Sequence, residues 1–308
     1  MFWKNDWQTY GYDGDYRQKL KLSTSSVWDV KIKKTITRPV GTYYDELLLN
    51  AQAIAERFPG KHDLMLSGGV DSELILYSHL KSKIPINVVV GKYKDGLNEA
   101  DFYQAMETCR IYDVKPTIID LDVKKYFESG EAHDIWTKNY ARAPGMLPPM
   151  KIIEKLDNMP IMGDGMNIDS FMVDEPRGPW KLGVSERWFV WTVHCAAIGR
   201  PIIAKFFDYS PELTMAILNL NLHKLKNQKP IRAHPRAKKM EKLKYIVNNE
   251  HFGTRIRPCL SGYEKCNTIN ETVPQFMLDF RDEPQHQDMD SNPCHSKFWP
   301  VDELKKLL

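Results

Sequence analysis

Cysteine is scarce and poorly spaced for structural use. The chain holds 5, at Cys109, Cys195, Cys259, Cys266 and Cys294, an odd number with no C-x-x-C pair. Neither a disulfide framework nor a zinc site is indicated. Long hydrophobic runs are also missing, since none approaches membrane-spanning length, and the opening MFWKNDWQTYGYDGDY lacks the charged-then-apolar order of a signal peptide. The expected location is the cytoplasm. No excess of one charge exists either: 43 Lys and Arg stand against 40 Asp and Glu, and a formal net charge of +3 is too small to argue for a nucleic-acid partner. Internal repeats and low-complexity runs are absent. What remains is the composition of an ordinary folded protein, 42% hydrophobic and 27% charged over 308 residues, enough for one large domain or two small ones. The 13 Met and 8 Trp are expected as core and pocket filling.

Periodicity divides the chain into three parts. Residues 1–40 read as an N-terminal extension packed on the main domain, with a strand at VWDVKIKKTI, where Val27, Asp29 and Lys31 alternate against Trp28, Val30 and Ile32. Residues 41–282 form the main domain. Within it, YDELLLNAQAIAERF is helical and stops at Pro59-Gly60, and strand-like HDLM, INVVVG and PTIIDLD alternate with helical DSELILYSHLKSK and NEADFYQAMETCRIY. LPPMKIIEKLDN is a further helix, and PIMGDG a later strand ending in a turn. Short β-branched runs alternating with helices predict βαβ units and a parallel sheet over residues 61–170, covered on both faces. Residues 171–282 read as mostly helical, through SERWFVWTVHCAAIG, PELTMAILNLNLHKL and RAKKMEKLKYIVNN. Residues 283–308 read as a loop-rich tail before a short helix.

One turn stands out. In LMLSGGVDSELIL, an apolar strand empties into Ser67-Gly68-Gly69 and a helix opens with Asp71 and Glu73. At the carboxyl end of a sheet strand, the N–H groups and dipole of the next helix favour an anion. Gly68 and Gly69 let the backbone approach a phosphate closely, and Ser67 and Ser72 bring hydroxyls. A carboxylate in a phosphate cradle is repelled unless a cation lies between, and Mg²⁺ favours one or two carboxylates plus phosphate oxygens, so Asp71 points to a metal. The Walker loop needs a lysine after its glycines and the dinucleotide fingerprint needs G-x-G-x-x-G; neither is here.

Ser67-Gly68-Gly69-Val70-Asp71-Ser72 resembles the S-G-G-x-D-S loop of the N-type ATP pyrophosphatases, the PP-loop superfamily that includes asparagine synthetase, GMP synthetase, NAD synthetase and tRNA-modifying enzymes. The resemblance spans roughly Tyr44 to Tyr263 and is nearest to the synthetase domain of asparagine synthetase, without its glutaminase half. It implies an adenine nucleotide alpha hydrolase-like fold: α/β, a parallel five-stranded sheet and a mostly helical C-terminal part. By position in the family, Val90, Gly91 and Met65 would hold the adenine through backbone groups. Met162-Gly163-Asp164-Gly165 resembles the family's G-[DE]-G-x-D-E turn, with Asp164 facing the activated intermediate; Asn167-Ile168 stand where the family has Asp-Glu, which weighs against both amide-forming chemistry and aspartate as substrate. Gly199 to Leu218 resembles the R-x-P-F-x-D segment, matched by Arg200-Pro201 and Asp208, with Arg200 as a buried organiser. The family's late lysine has no match in FGTRIRPCLSGYEK, where Arg257 or Arg255 would supply the cation.

The resemblance implies an ATP-dependent adenylating enzyme that releases AMP and pyrophosphate, with ATP and Mg²⁺ as cofactors. A carboxylate or carbonyl oxygen is activated for attack by ammonia or an amine. The chain opens Met1-Phe2 and has no cysteine before Cys109, so the nitrogen is expected from free ammonia, an amine or a separate amidotransferase. Three alternatives stay open: modification of a nucleic-acid base, supported by the 9 Lys and Arg against one Glu between His223 and Ile246; sulfur transfer, with Cys294 as its only tail cysteine; and a nucleotide-binding module without chemistry.

Overall fold

A computed structural model describes residues 7–12, 28–33, 35–139, 144–163, 181–185, 190–219, 276–277, 279 and 296–308. Its centre is a parallel sheet of β3 (His62–Met65), β4 (Ile86–Tyr93), β5 (Thr117–Leu121) and β6 (Met159–Ile161), in the spatial order β5-β4-β3-β6. Successive residues of a strand face opposite sides, and β4 shows it plainly. Val88 and Val90 belong to one buried cluster, with Leu47, Ile54, Leu74 and Phe206, while Val89 and Tyr93 belong to another, with Trp136, Leu147 and Trp191. Both faces are therefore covered, as the apolar runs predict.

The first cluster is closed by α1 (Tyr43–Arg57), α2 (Val70–Lys81), α3 (Glu99–Ile111) and α8 (Pro211–Asn219). The second is closed by α4 (Val123–Glu128), α5 (Glu131–Asn139), α6 (Leu147–Ile153) and α7 (Val190–Ala197). Local chemistry fixes the ends of α1: Thr42 and Asp45 form a capping box, and Leu47, Ala51 and Ile54 make its buried stripe. At its amino edge the sheet is pinned by Asp63, only 1% exposed. Its Oδ1 accepts from Asn87 Nδ2 at 2.9 Å and from Asn158 Nδ2 at 2.8 Å, and its Oδ2 accepts from the Asn158 amide at 2.8 Å. One carboxylate thus ties the starts of β3, β4 and β6 together.

Several elements depart from the sequence reading. Among the described residues the parallel sheet has four strands, and beyond β6 a single parallel bridge joins Ile161 to Ile203 where a fifth would lie. The expected N-terminal strand forms as β2 (Trp28–Ile32), but its antiparallel partner β1 (Gln8–Tyr12) was not signalled. Ser185, read as the start of a helix, ends β7 (Lys181–Ser185), and the helix begins at Val190. In the tail, β8 (Ser296–Pro300) pairs with β7 before α9 (Val301–Leu307). These pairings join segments far apart in sequence, and strand preference depends on such partners. The predicted helix RAKKMEKLKYIVNN lies outside the described residues.

Two buried imidazoles lie at the amino end of β3 and the carboxyl end of α2. His62 Nε2 lies 2.8 Å from the Phe58 carbonyl and His79 Nδ1 lies 2.8 Å from the Ile75 carbonyl, so both nitrogens must carry the hydrogen. The rings are 6.0 Å apart, and the opposite nitrogens have no hydrogen-bond partner among the described residues. Burial pushes the His79 pKa down to about 4 and lowers that of His62 as well. The unfolded chain then binds more protons than the folded one below the ordinary value of 6.5. Stability contributed by neutral His79 is complete above that pH and is lost as pH falls towards 4, in total about 3 kcal/mol. Urea titrations at pH 7.5 and 4.5 are expected to show a larger acid loss for the native chain than for His79→Leu. Equal losses in the two proteins would contradict this assignment.

Candidate functional site

The sheet order places a topological switch beside β3. The chain runs from β3 outward through β4 to β5, then returns to β6 on the other side of β3. In open α/β sheets, ligands occupy the crevice at the carboxyl ends of the strands flanking such a point. The loop Ser67–Gly69 leaves β3 there, and Met162-Gly163 leaves β6.

The loop is shaped by its own residues. Gly68 has φ +73°, and a side chain there would meet the Asp101 carbonyl at 2.5 Å and the Ala105 amide nitrogen at 2.9 Å, so the loop rests directly on the backbone of α3. Gly69 caps α2 in extended conformation with no side-chain cap, at the end of the helix whose dipole favours an anion. Ser72, 2% exposed, donates its hydroxyl to the Gly69 carbonyl at 2.9 Å and accepts from the Ser67 amide at 3.2 Å. Its hydroxyl therefore braces the loop. Ser67 and Gly69 are exposed, and Asp71 is half-buried in the first turn of α2. The buried Tyr43 at the start of α1 lies close enough for the Asp71 carboxylate, after burial itself, to push its pKa up.

The second turn joins the first by contact. A side chain on Gly163 would lie 2.9 Å from the Ser72 amide nitrogen and 3.0 Å from the Asp71 carbonyl carbon, so only glycine lets β6 approach the start of α2 this closely. Gly163 also forms an antiparallel bridge with Lys205, and the Met162 amide donates to the Ile203 carbonyl at 2.9 Å. Bridged partners project from the same side of a sheet. The Lys205 side chain therefore leaves on the side where Gly163 touches α2. It is 1% exposed, and its Nζ lies 3.3 Å from Asp208 Oδ2.

Lys205 is the residue the sequence reading missed. A lone lysine inside the apolar run Ile202-Ile203-Ala204-Lys205-Phe206-Phe207 was the available signal, because a buried ammonium needs a partner. Of the residues expected at the adenine, Val90 is buried in the core and Met65 is half-buried. The Gly91 carbonyl accepts from Asn98 Nδ2 at 2.9 Å, while the Asn98 Oδ1 accepts the Tyr93 amide at 2.8 Å. Arg200 donates to the Ile153 carbonyl, in keeping with an organising role. A separate cavity of about 620 Å³ opens past β4 and β5, between Lys92, Asn98, Phe102 and Asp120. Asp164, Arg255, Arg257, Asn167, Ile168, the basic stretch 223–246 and Cys294 lie outside the described residues.

Fold and geometry thus define an open parallel α/β protein with an anion-receptive turn at its switch point. No protein-family model matches the chain, and no curated protein matches it. Among solved structures it is similar to the NMN synthetase from Francisella tularensis, at 14% identity over 70% of this chain and 95% of that one, with a TM-score of 0.33. The NH3-dependent NAD synthetase from Campylobacter jejuni, in complex with nitrate, gives 12% identity, 82% and 95% coverage and a TM-score of 0.35. The glutamine-dependent NAD+ synthetase from Acinetobacter baumannii, in complex with ADP, gives 15%, 78% and 53%, and 0.31. Likeness at this level bears on neither the fold nor the reaction of the present chain.

Proposed function

We propose that the protein is an ATP-dependent adenylating enzyme of the ATP pyrophosphatase type. It cleaves ATP to AMP and pyrophosphate and activates a carboxylate or carbonyl oxygen for attack by ammonia or an amine. The observation that carries this reading is the packing of Gly163 on the first turn of α2. Through it, a glycine loop at a helix N-terminus, a carboxylate at Asp71 and a lysine at Lys205 share one end of the sheet.

In this reading the loop N–H groups and Lys205 hold the leaving pyrophosphate. The acceptor oxygen attacks the α-phosphorus, the bond to the β-phosphate oxygen breaks, and the nucleophile then displaces AMP. Asp164, which follows Gly163 directly in the chain, would orient the acceptor or take its proton. Lys205 takes the role that the family resemblance would give to Arg257 or Arg255, and Ile202 to Ala204 are its candidate fifth strand.

The donor set fits magnesium. Among the described residues no group of three or more His, Cys, Asp or Glu stands ready to hold a metal. An ion that takes one carboxylate plus phosphate oxygens needs no such group. Asp71 would be its protein ligand, and the bound ion supplies charge neutralisation on the phosphates.

The test is the product. The chain incubated with ATP, Mg²⁺, ammonium and a panel of carboxylic acids is expected to release AMP and pyrophosphate in equal amounts. Release of ADP and phosphate with every acceptor, or no turnover of bound ATP, would refute the assignment.

A further inference from the structure

Lys205 places its side-chain amine where water hardly reaches, and a buried ammonium is tolerated only where its partners are fixed. Its own backbone is held from three sides. The Phe206 carbonyl accepts from Asn50 Nδ2 of α1 at 2.9 Å, and Gly163 bridges Lys205 itself. The third restraint comes from the opposite end of the chain. The buried Trp7 donates its indole N–H to the Asp208 carbonyl at 2.9 Å, and Gln8 Nε2 donates to the same oxygen at 3.4 Å. Trp7 is anchored in turn by its own carbonyl, which accepts the Lys33 amide at 2.6 Å just past β2.

We propose that Asp208 is a positioning residue that aims the Lys205 ammonium at the phosphate loop, and that Trp7 makes the N-terminal hairpin part of the site by fixing Asp208. This rests on the adenylating reading, in which Lys205 meets the pyrophosphate. The segment from Lys205 to Asp208 is a single 3-10 turn, with the Tyr209 amide bonded to the Phe206 carbonyl at 3.3 Å. A carboxylate three residues on therefore meets the ammonium across that turn. The N-terminal strands then do more than cover apolar surface: through Trp7 they set where the Lys205 cation sits.

The sign of one substitution separates positioning from bulk electrostatics. Removing a negative charge close to an anion site tightens anion binding by charge alone. Losing the group that aims Lys205 weakens it. Titration calorimetry of the full chain with inorganic pyrophosphate and Mg²⁺ is therefore expected to show Asp208→Asn binding about tenfold more weakly, despite the gain in positive charge. Asp208→Glu, which keeps the carboxylate, recovers most of that loss. Trp7→Phe removes one hydrogen bond from a ring that stays buried, with a loss of about threefold. If Asp208→Asn does not fold, the glutamate and Trp7 variants carry the same comparison.

Native chain that binds neither ATP nor pyrophosphate would overturn the adenylating reading and this inference with it. Native chain that binds, with Asp208→Asn equal or tighter, overturns the inference alone. Where only the Trp7 and glutamate variants fold, native affinity in Trp7→Phe overturns it.

Discussion

Asp71→Asn is expected to weaken ATP binding about 100-fold in the presence of Mg²⁺ and to leave it unchanged or slightly tighter in EDTA. The argument runs from the site. Asp71 is half-buried in the first turn of α2, where the helix dipole attracts an anion. Without a cation, a carboxylate there repels phosphate, so its removal relieves repulsion. With magnesium the sign inverts, because the carboxylate is the protein's share of the coordination, and a contribution of this kind is worth several kcal/mol. Tenfold in affinity is about 1.4 kcal/mol, which places the loss near two orders of magnitude. Calorimetric titration of both proteins in both buffers measures all four affinities. Equal weakening with and without magnesium would mean that Asp71 acts on the loop's structure, for instance through its neighbour Tyr43.

The residues behind this expected result are legible in the sequence alone. Asp71 was conspicuous because its charge conflicts with its surroundings, and Ser67 to Ser72 sit where an apolar run meets a helical one. The alternation of HDLM, INVVVG and PTIIDLD with helical segments was equally readable, since buried parallel strands are short β-branched runs bounded by turns. Other parts left no local trace. Helices α4 and α5 are 6 and 9 residues long, too short to establish a periodic pattern. Strands β1, β7 and β8 are defined by partners elsewhere in the chain. Lys205 hid for a different reason: in an apolar run it reads as an interruption of the core, and only its bridge to Gly163 ties it to the loop. The brace from the Ser72 hydroxyl to the Gly69 carbonyl is likewise invisible in the sequence.

Gly68→Ala is expected to destabilise the chain by about 3 kcal/mol or more and to abolish measurable ATP binding. Two costs combine. A left-handed backbone at φ +73° penalises any Cβ by about 1 to 2 kcal/mol. In addition, the new methyl would lie 2.5 Å from the Asp101 carbonyl and 2.9 Å from the Ala105 amide, both backbone atoms of α3 that cannot rotate away. The loop must lift off α3, and the N–H groups it presents move with it. Gly199 is the internal control: it has nearly the same φ, at +74°, but has nothing within 4 Å of its Cβ position. Gly199→Ala is expected to cost only the conformational part and to bind ATP normally. Urea midpoints and calorimetry on the pair separate strain from collision; similar losses for both would show that the approach of α3 does not matter.

The contact between Gly163 and the start of α2 also has a meaning for synthesis. A ribosome that has released β3, α2, β4 and β5 has delivered the glycine loop with neither β6 nor Lys205 beside it. Nucleotide capture would begin only after the segment through Asp208 emerges and packs. A chain stalled before that point carries a motif but no half-built trap for cellular ATP.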